Sequence, residues 1–120
     1  MNPKIRHTSF GSIQIGDEIY DHDVFISLDG SINKRKKKLS KEVFGTSHVI
    51  SLAEAEFIYE DGIDILILGC GLMDRVKLSD EARYFFEKHR IKTYLEPTPK
   101  AADRWNETNG KIIGLFHITC

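Results

Sequence analysis

The strongest constraint in this sequence of 120 residues is a short run with no polar residue in it. Ile65-Leu66-Ile67-Leu68 follows Asp64 and ends at Gly69-Cys70-Gly71. Successive strand residues face opposite sides of a sheet. A strand that is apolar on both sides is therefore covered on both, as at the centre of an α/β sheet.

The neighbouring segments read as helices and strands in alternation. Ser51-Leu52-Ala53-Glu54 reads as a capping box, with the Ser51 hydroxyl accepting from the Glu54 amide and the carboxylate reaching back. This helix is expected to run to about Asp61, with Gly62 as its stop. Ser79 caps a second helix to about His89, with Asp80 and Glu81 in the favourable first turn. Ile91 to Leu95 reads as another buried strand. Thr98-Pro99 reads as an N-cap with proline at the first helical position, opening a helix to Asn109-Gly110. Lys111 to Ile118 is the last strand. This β-α-β-α-β order predicts right-handed crossovers and a mostly parallel sheet with helices on its faces.

The residues before Ser51 carry β signals instead. Ile13 and Ile15 share a face within Phe10 to Ile15, and Gly16-Asp17 marks a turn before Ile19 and Tyr20. Asp23 to Leu28 is rich in β-branched and aromatic residues. Asp29-Gly30 is a hairpin signal, because a type I′ turn needs positive φ. A polar strand from Ser31 to about Lys37 would pair back, and its lysines would discourage unwanted edge pairing. Together these read as a meander of short antiparallel strands. Self-association through an edge of that layer is left open.

Charge adds one local feature. The formal net charge is −1, from 17 basic and 18 acidic residues. Six of the basic ones, Lys34, Arg35, Lys36, Lys37, Lys38 and Lys41, fall in one stretch without an acidic residue. The remaining 11 against 18 leave −7 elsewhere. The stretch suits a solvated face, a partner-docking surface or a surface that steers anions. Nucleic-acid contact is the weaker reading, because the acidic remainder repels a polyanion and no aromatic interrupts the run.

Length suits one domain over residues 1–120. No apolar stretch approaches the roughly 18 residues of a membrane helix. Met1 to Phe10 lacks the apolar core of a signal peptide, and the two cysteines make no disulfide framework. A cytoplasmic protein without a membrane span is expected.

Gly69-Cys70-Gly71 lies at the carboxyl end of a buried strand, where α/β proteins place ligands. It reads either as an anion cradle or as a turn that needs glycine. Position 74 is Asp74, so the dinucleotide fingerprint is absent, and no P-loop pattern occurs. Cys70 is a candidate nucleophile only if a cation or helix amino end lowers its pKa. The alternative is a small loop residue. Cys120 with His117 lacks a zinc signature. Thr98 should face the same sheet end as the glycines, and Asn106 lies two turns along the same helix. Both are candidate pocket residues, against the plainer roles of cap and turn residue. Trp105 reads as a core-facing helix residue. No cofactor or metal is expected.

Several segments, in order, resemble the Mth nine-three-eight domain family. They are Phe10-Gly11-Ser12-Ile13, Ser31 to Ser40, Gly45-Thr46-Ser47-His48-Val49, Leu68-Gly69-Cys70-Gly71, Pro97-Thr98 with Ala101 and Trp105-Asn106, and Phe116-His117-Ile118-Thr119-Cys120. The resemblance spans nearly the whole chain and is marked for single-domain prokaryotic members. It implies a three-layer α/β fold, with a mixed, mostly parallel central sheet, helices and an N-terminal antiparallel β-layer. It also implies a pocket around Gly69, Cys70, Gly71, Thr98 and Asn106, which His48 joins as a candidate. The family includes an assembly factor that works through partners, and it supplies no reaction. Its middle GxG residue is not always cysteine, which argues against an essential Cys70.

Two function classes follow. One is a non-catalytic binding or assembly-support domain that docks a protein partner or small anionic ligand. The other is a small enzyme acting on an anionic metabolite. There the glycine loop and Thr98 would hold the anion, and His48, His117 or Glu96 would move protons.

Overall fold

The structure, a computed structural model, describes residues 2–120. Three strands, β1 (Ile5–Ser9), β2 (Ser12–Ile15) and β3 (Glu18–Tyr20), form an antiparallel sheet in that order. Then come β4 (Val24–Ile26), β5 (Ile32–Lys34), α1 (Lys38–Phe44), β6 (Val49–Ile50) and α2 (Leu52–Ile58). The chain continues through β7 (Ile65–Cys70), β8 (Lys77–Leu78), α3 (Asp80–Lys88), β9 (Lys92–Glu96), α4 (Thr98–Glu107) and β10 (Ile112–His117).

The main sheet has the order β5-β4-β10-β7-β9. Its β10, β7 and β9 are parallel, and β4 and β5 add antiparallel pairs at one side. The short strands β6 and β8 form a separate parallel pair. The fold is thus mixed α/β with a separate antiparallel layer, as expected.

Alternation along β7 explains the layers. Leu66 and Leu68 point into a core with Phe86 and Ile58 from α3 and α2. Ile67 points into the opposite core, with Trp105 of α4 and Ile13 and Ile15 of the three-stranded sheet. Both cores are built mainly from buried side chains of the Leu, Ile and Phe class. Each such burial stabilises by about 1.5–3 kcal/mol.

The amino-terminal half departs from a single meander. β1 lies ahead of the first expected strand, and only β1 to β3 form the outer layer. Val24, Phe25 and Ile26 are all buried. A strand covered on both faces belongs in the main sheet, and β4 pairs there with β10. The Asp29-Gly30 turn is also different. Gly30 has φ 87°, but Asp29 is not among the positive-φ residues. The Ser31 amide donates to the Asp29 carboxylate at 2.9 Å, and the Gly30 amide donates to the Ser27 carbonyl. This is a three-residue connection ending in a left-handed glycine, not a two-residue type I′ turn.

The basic stretch is not one strand and loop. β5 stops at Lys34, Arg35 turns inward, and Lys38 onward is helical. Helix α2 ends at Ile58, short of Asp61. Thr98 is the first residue of α4 rather than its cap, a position held by Pro97.

Candidate functional site

The carboxyl end of the main sheet holds a buried ionic cluster centred on Arg35. Its Nε and Nη2 donate to both oxygens of Glu54 at 2.7 and 3.0 Å. Nη1 donates to Asp23 Oδ2 at 3.0 Å, and Nη2 also donates to the Ser47 carbonyl at 2.8 Å. Arg35, Asp23 and Glu54 are each 4% exposed or less. The planar guanidinium fork suits this bidentate pairing, and a lysine ammonium does not. Burial works against the charge on Arg35, but the two carboxylates outweigh it and raise its pKa.

Asp23 extends the cluster. Its Oδ2 accepts from His117 Nδ1 at 2.7 Å, and its Oδ1 accepts from the Ile118 amide at 3.0 Å. Burial pushes the Asp23 carboxyl up, but His117, the Ile118 amide and Lys37 together hold it lower, at about 2. The other ring nitrogen of His117 lies 3.1 Å from Thr119 Oγ1. His48 packs edge-on against His117, with ring centroids 5.3 Å apart. Burial, then the neighbouring His117, Arg75 and Arg35, lower the His48 pKa.

Half of the expected capping box is present. Ser51 Oγ accepts from the Glu54 amide at 3.1 Å. The Glu54 carboxylate does not reach back. It pairs with Arg35 and accepts from Ser40 Oγ at 2.5 Å, while the Ser51 amide donates to Ser40 Oγ at 3.0 Å.

The glycine loop is a packing device. A Cβ on Gly69 would stand 2.8 Å from the Phe116 ring and 3.0 Å from Thr98 Oγ1. Gly71 has φ +94°, and a Cβ there would stand 2.3 Å from the Cys120 carbonyl carbon. The amides that might cradle an anion already have acceptors. Gly71 donates to Thr98 Oγ1 at 2.9 Å. Leu72 donates to Thr119, Met73 and Arg75 to Cys120, Asp74 to Gly71, and Val76 to Cys70, all to carbonyl oxygens. Thr98 Oγ1 in turn donates to the His117 carbonyl at 2.5 Å. Thr98 therefore clamps the β7 loop to β10.

Cys70 is 1% exposed, and burial, with Asp74 behind it, pushes its thiol up to about 12. A thiolate nucleophile is not available there at neutral pH. Asn106 is elsewhere. It accepts from the Ile5 amide at 2.9 Å and donates to the Ile5 carbonyl at 2.7 Å, tying β1 to the far end of α4. Glu96 is held by Arg104 and Lys100 and lowered in pKa mainly by the Arg104 hydrogen bond. So the structure gathers Gly69, Cys70, Gly71, Thr98 and His48 around His117 and leaves Asn106 out. Among the described residues no three metal-ligating side chains converge.

The basic stretch divides in two. Arg35 lies inside. Lys34, Lys36, Lys37 and Lys38 wall a surface cavity of about 550 Å³ with Asp23 and Arg35 among its lining residues. Lys37 Nζ reaches to 3.8 Å from Asp23 Oδ2. Lys36 Nζ lies 4.9 Å from the centre of the Phe57 ring. Asp21 and His22 complete the rim. Lys41 lies on α1 outside this lining.

The cluster went unread in the sequence apart from one hint. Arg35 is the single arginine among the six basic residues, and arginine is the cation suited to a buried pair. Nothing local marks Asp23, Ser40 or Glu54 as its partners.

No helix is long and apolar enough to cross a membrane, among the described residues. A family model described as a protein of unknown function (DUF498/DUF598) matches residues 5–113. A solved structure of a conserved hypothetical protein from Pyrococcus horikoshii OT3 is 30% identical, with a TM-score of 0.91 over 98% of this chain and 99% of that one. The structure named MT938 is 25% identical, with a TM-score of 0.82 over 99% of this chain and 100% of that one. A Bordetella pertussis protein described as a Mth938-like domain shares the fold at 12% identity, with a TM-score of 0.63 over 97% and 85% of the two chains. These likenesses agree with the resemblance in the sequence motifs.

Proposed function

The chain belongs to the DUF498/DUF598 family, and from that premise we propose that it is a non-catalytic binding domain for a small anionic ligand. The ligand occupies the cavity walled by Lys34, Lys36, Lys37 and Lys38. The site is this cavity rather than the Gly69–Gly71 loop, whose neighbouring amides are already bonded within the chain.

One observation carries the reading: four lysines line a single concavity. Only Lys37 has a carboxylate within salt-bridge reach among the described residues. Crowded like charges repel, and an anion between them relieves that repulsion. A non-catalytic role is supported by the protonated Cys70 thiol and by the internal bonding of Thr98 and the glycine loop.

The test is an amide-resolved NMR titration with inorganic pyrophosphate at low and high salt. Shifts should concentrate on residues 34–38 and weaken with salt. Changing Lys34, Lys37 and Lys38 together to Gln should abolish them. Shifts that are absent, or that centre on Gly69 to Gly71, would reject the reading.

A further inference from the structure

The lysine cavity also contains a nucleophile, His22. Its Nδ1 lies 2.9 Å from the Asp23 carbonyl oxygen. A carbonyl can only accept, so Nδ1 carries the proton and donates it. In the neutral ring the free lone pair is then on Nε2. Tyr20 packs edge-on against the imidazole, with ring centroids 5.8 Å apart, and steadies it. His22 is only partly buried, so a solute can reach it. The charge around it favours an anionic reactant, because Lys34, Lys36, Lys37 and Lys38 line the same cavity. The Asp23 carboxylate is already taken up by Arg35, His117 and the Ile118 amide, which leaves Asp21 as the opposing acid of the lining.

His89, at the end of α3, provides an internal comparison. Its Nδ1 also lies 2.9 Å from a carbonyl oxygen, that of Phe85. Its surroundings carry the opposite balance of charge. The concavity it lines has Glu56 and Glu81 against a single lysine, Lys88.

We propose that His22 Nε2 is a phosphoryl-acceptor site, modified by a small donor that carries its phosphoryl group on nitrogen. The proposal rests on the anion reading, since the lysines that hold an anion are those that hold the donor's phosphoryl oxygens. The Nε2 lone pair forms a new N–P bond while the donor's P–N bond breaks, and that electron pair leaves with the departing amine. One P–N bond replaces another, and no redox partner takes part. Nε2 has no proton to lose, and the Nδ1–H bond to the Asp23 carbonyl persists in the product. The chain is the acceptor in this step and not a catalyst.

Potassium phosphoramidate, added to the intact chain at neutral pH, tests it, with sites and rates read by mass spectrometry. His22 should react about tenfold or more faster than His89, because clustered positive charge concentrates the anionic donor. Changing Lys34, Lys37 and Lys38 together to Gln should bring His22 down to the His89 rate. Nitrogen–phosphorus coupling in NMR should place the phosphorus on Nε2. His22→Gln should lose the fast site and keep the pyrophosphate shifts on residues 34–38. A His22 no faster than His89, a rate indifferent to the three lysines, or phosphorus on Nδ1 overturns the proposal. If pyrophosphate still binds in those cases, the anion reading stands without it. Absent pyrophosphate shifts on the unmodified chain overturn both.

Discussion

Asp23 Oδ2 and His117 Nδ1 lie 2.7 Å apart across a gap of 94 residues in the chain. The same oxygen accepts from Arg35 at 3.0 Å. One carboxylate thus joins the entry to β4, the turn after β5 and the end of β10. Asp23→Asn keeps the shape and removes the charge. It should cost about 3–5 kcal/mol, the usual penalty for stripping one partner from a buried ion pair. Urea unfolding of the variant reads this directly. A loss below 1 kcal/mol would mean that the Arg35 charge is compensated without Asp23.

The same residue predicts acid sensitivity. Its folded pKa, about 2, lies below the unfolded value of 3.8. Its contribution is therefore complete above about pH 4 and is lost as pH falls through about 2. The shift corresponds to about 2 kcal/mol. Asp29, exposed in its turn, is also lowered to about 2 by its bonds to Ser31 and Ser27. Comparing acid unfolding of Asp23→Asn with Asp29→Asn separates them. Asp23→Asn should flatten the curve between pH 4 and 2 far more.

Thr98→Val is nearly isosteric and deletes one hydroxyl. It leaves the Gly71 amide without its acceptor and the His117 carbonyl without that donor. A loss of about 2–3 kcal/mol is expected in chemical denaturation. Pyrophosphate binding by residues 34–38 should be unchanged in the folded variant. Loss of binding with full stability would relocate the ligand site to the glycine loop.

Thiol reactivity should be split. Cys70 is buried with its thiol held protonated, and Cys120 is partly exposed. Ellman's reagent at pH 8 should consume one thiol promptly and the second only when denaturant is added. Peptide mapping should assign the fast one to Cys120. A fast Cys70 would reverse the argument against a nucleophile.

What the sequence discloses depends on whether the cause is local. The run at Ile65 to Leu68 and the Ser51 and Ser79 caps report on their own neighbours, so β7 and the starts of α2 and α3 are legible. Asp29-Gly30 identified a turn but not its length, because the Asp29 carboxylate bonds forward to Ser31 and keeps a negative φ. Thr98 looked like a cap because caps and buried clamps use the same hydroxyl. Arg35 was read with its lysine neighbours, since its partners lie 12 and 19 residues away. Nothing local marks the bond of Asn106 to Ile5, which spans 101 residues and places it away from the glycine loop. Pairings of that range leave no periodic trace.

The Arg35 cluster also orders events in time. Its bonds draw together the turn before β4, the segment before β6, the start of α2 and, through Asp23, the last central strand. Arg35 lies 12 residues from Asp23 and 19 from Glu54, and Asp23 lies 94 from His117, so loops must close before any of the charges gains its partner. The cluster can be desolvated favourably only once all have arrived, which makes its closure a late step of folding. Opening it from one side would strand a charge in the interior. The two halves of the chain should therefore melt together, as a single cooperative unit.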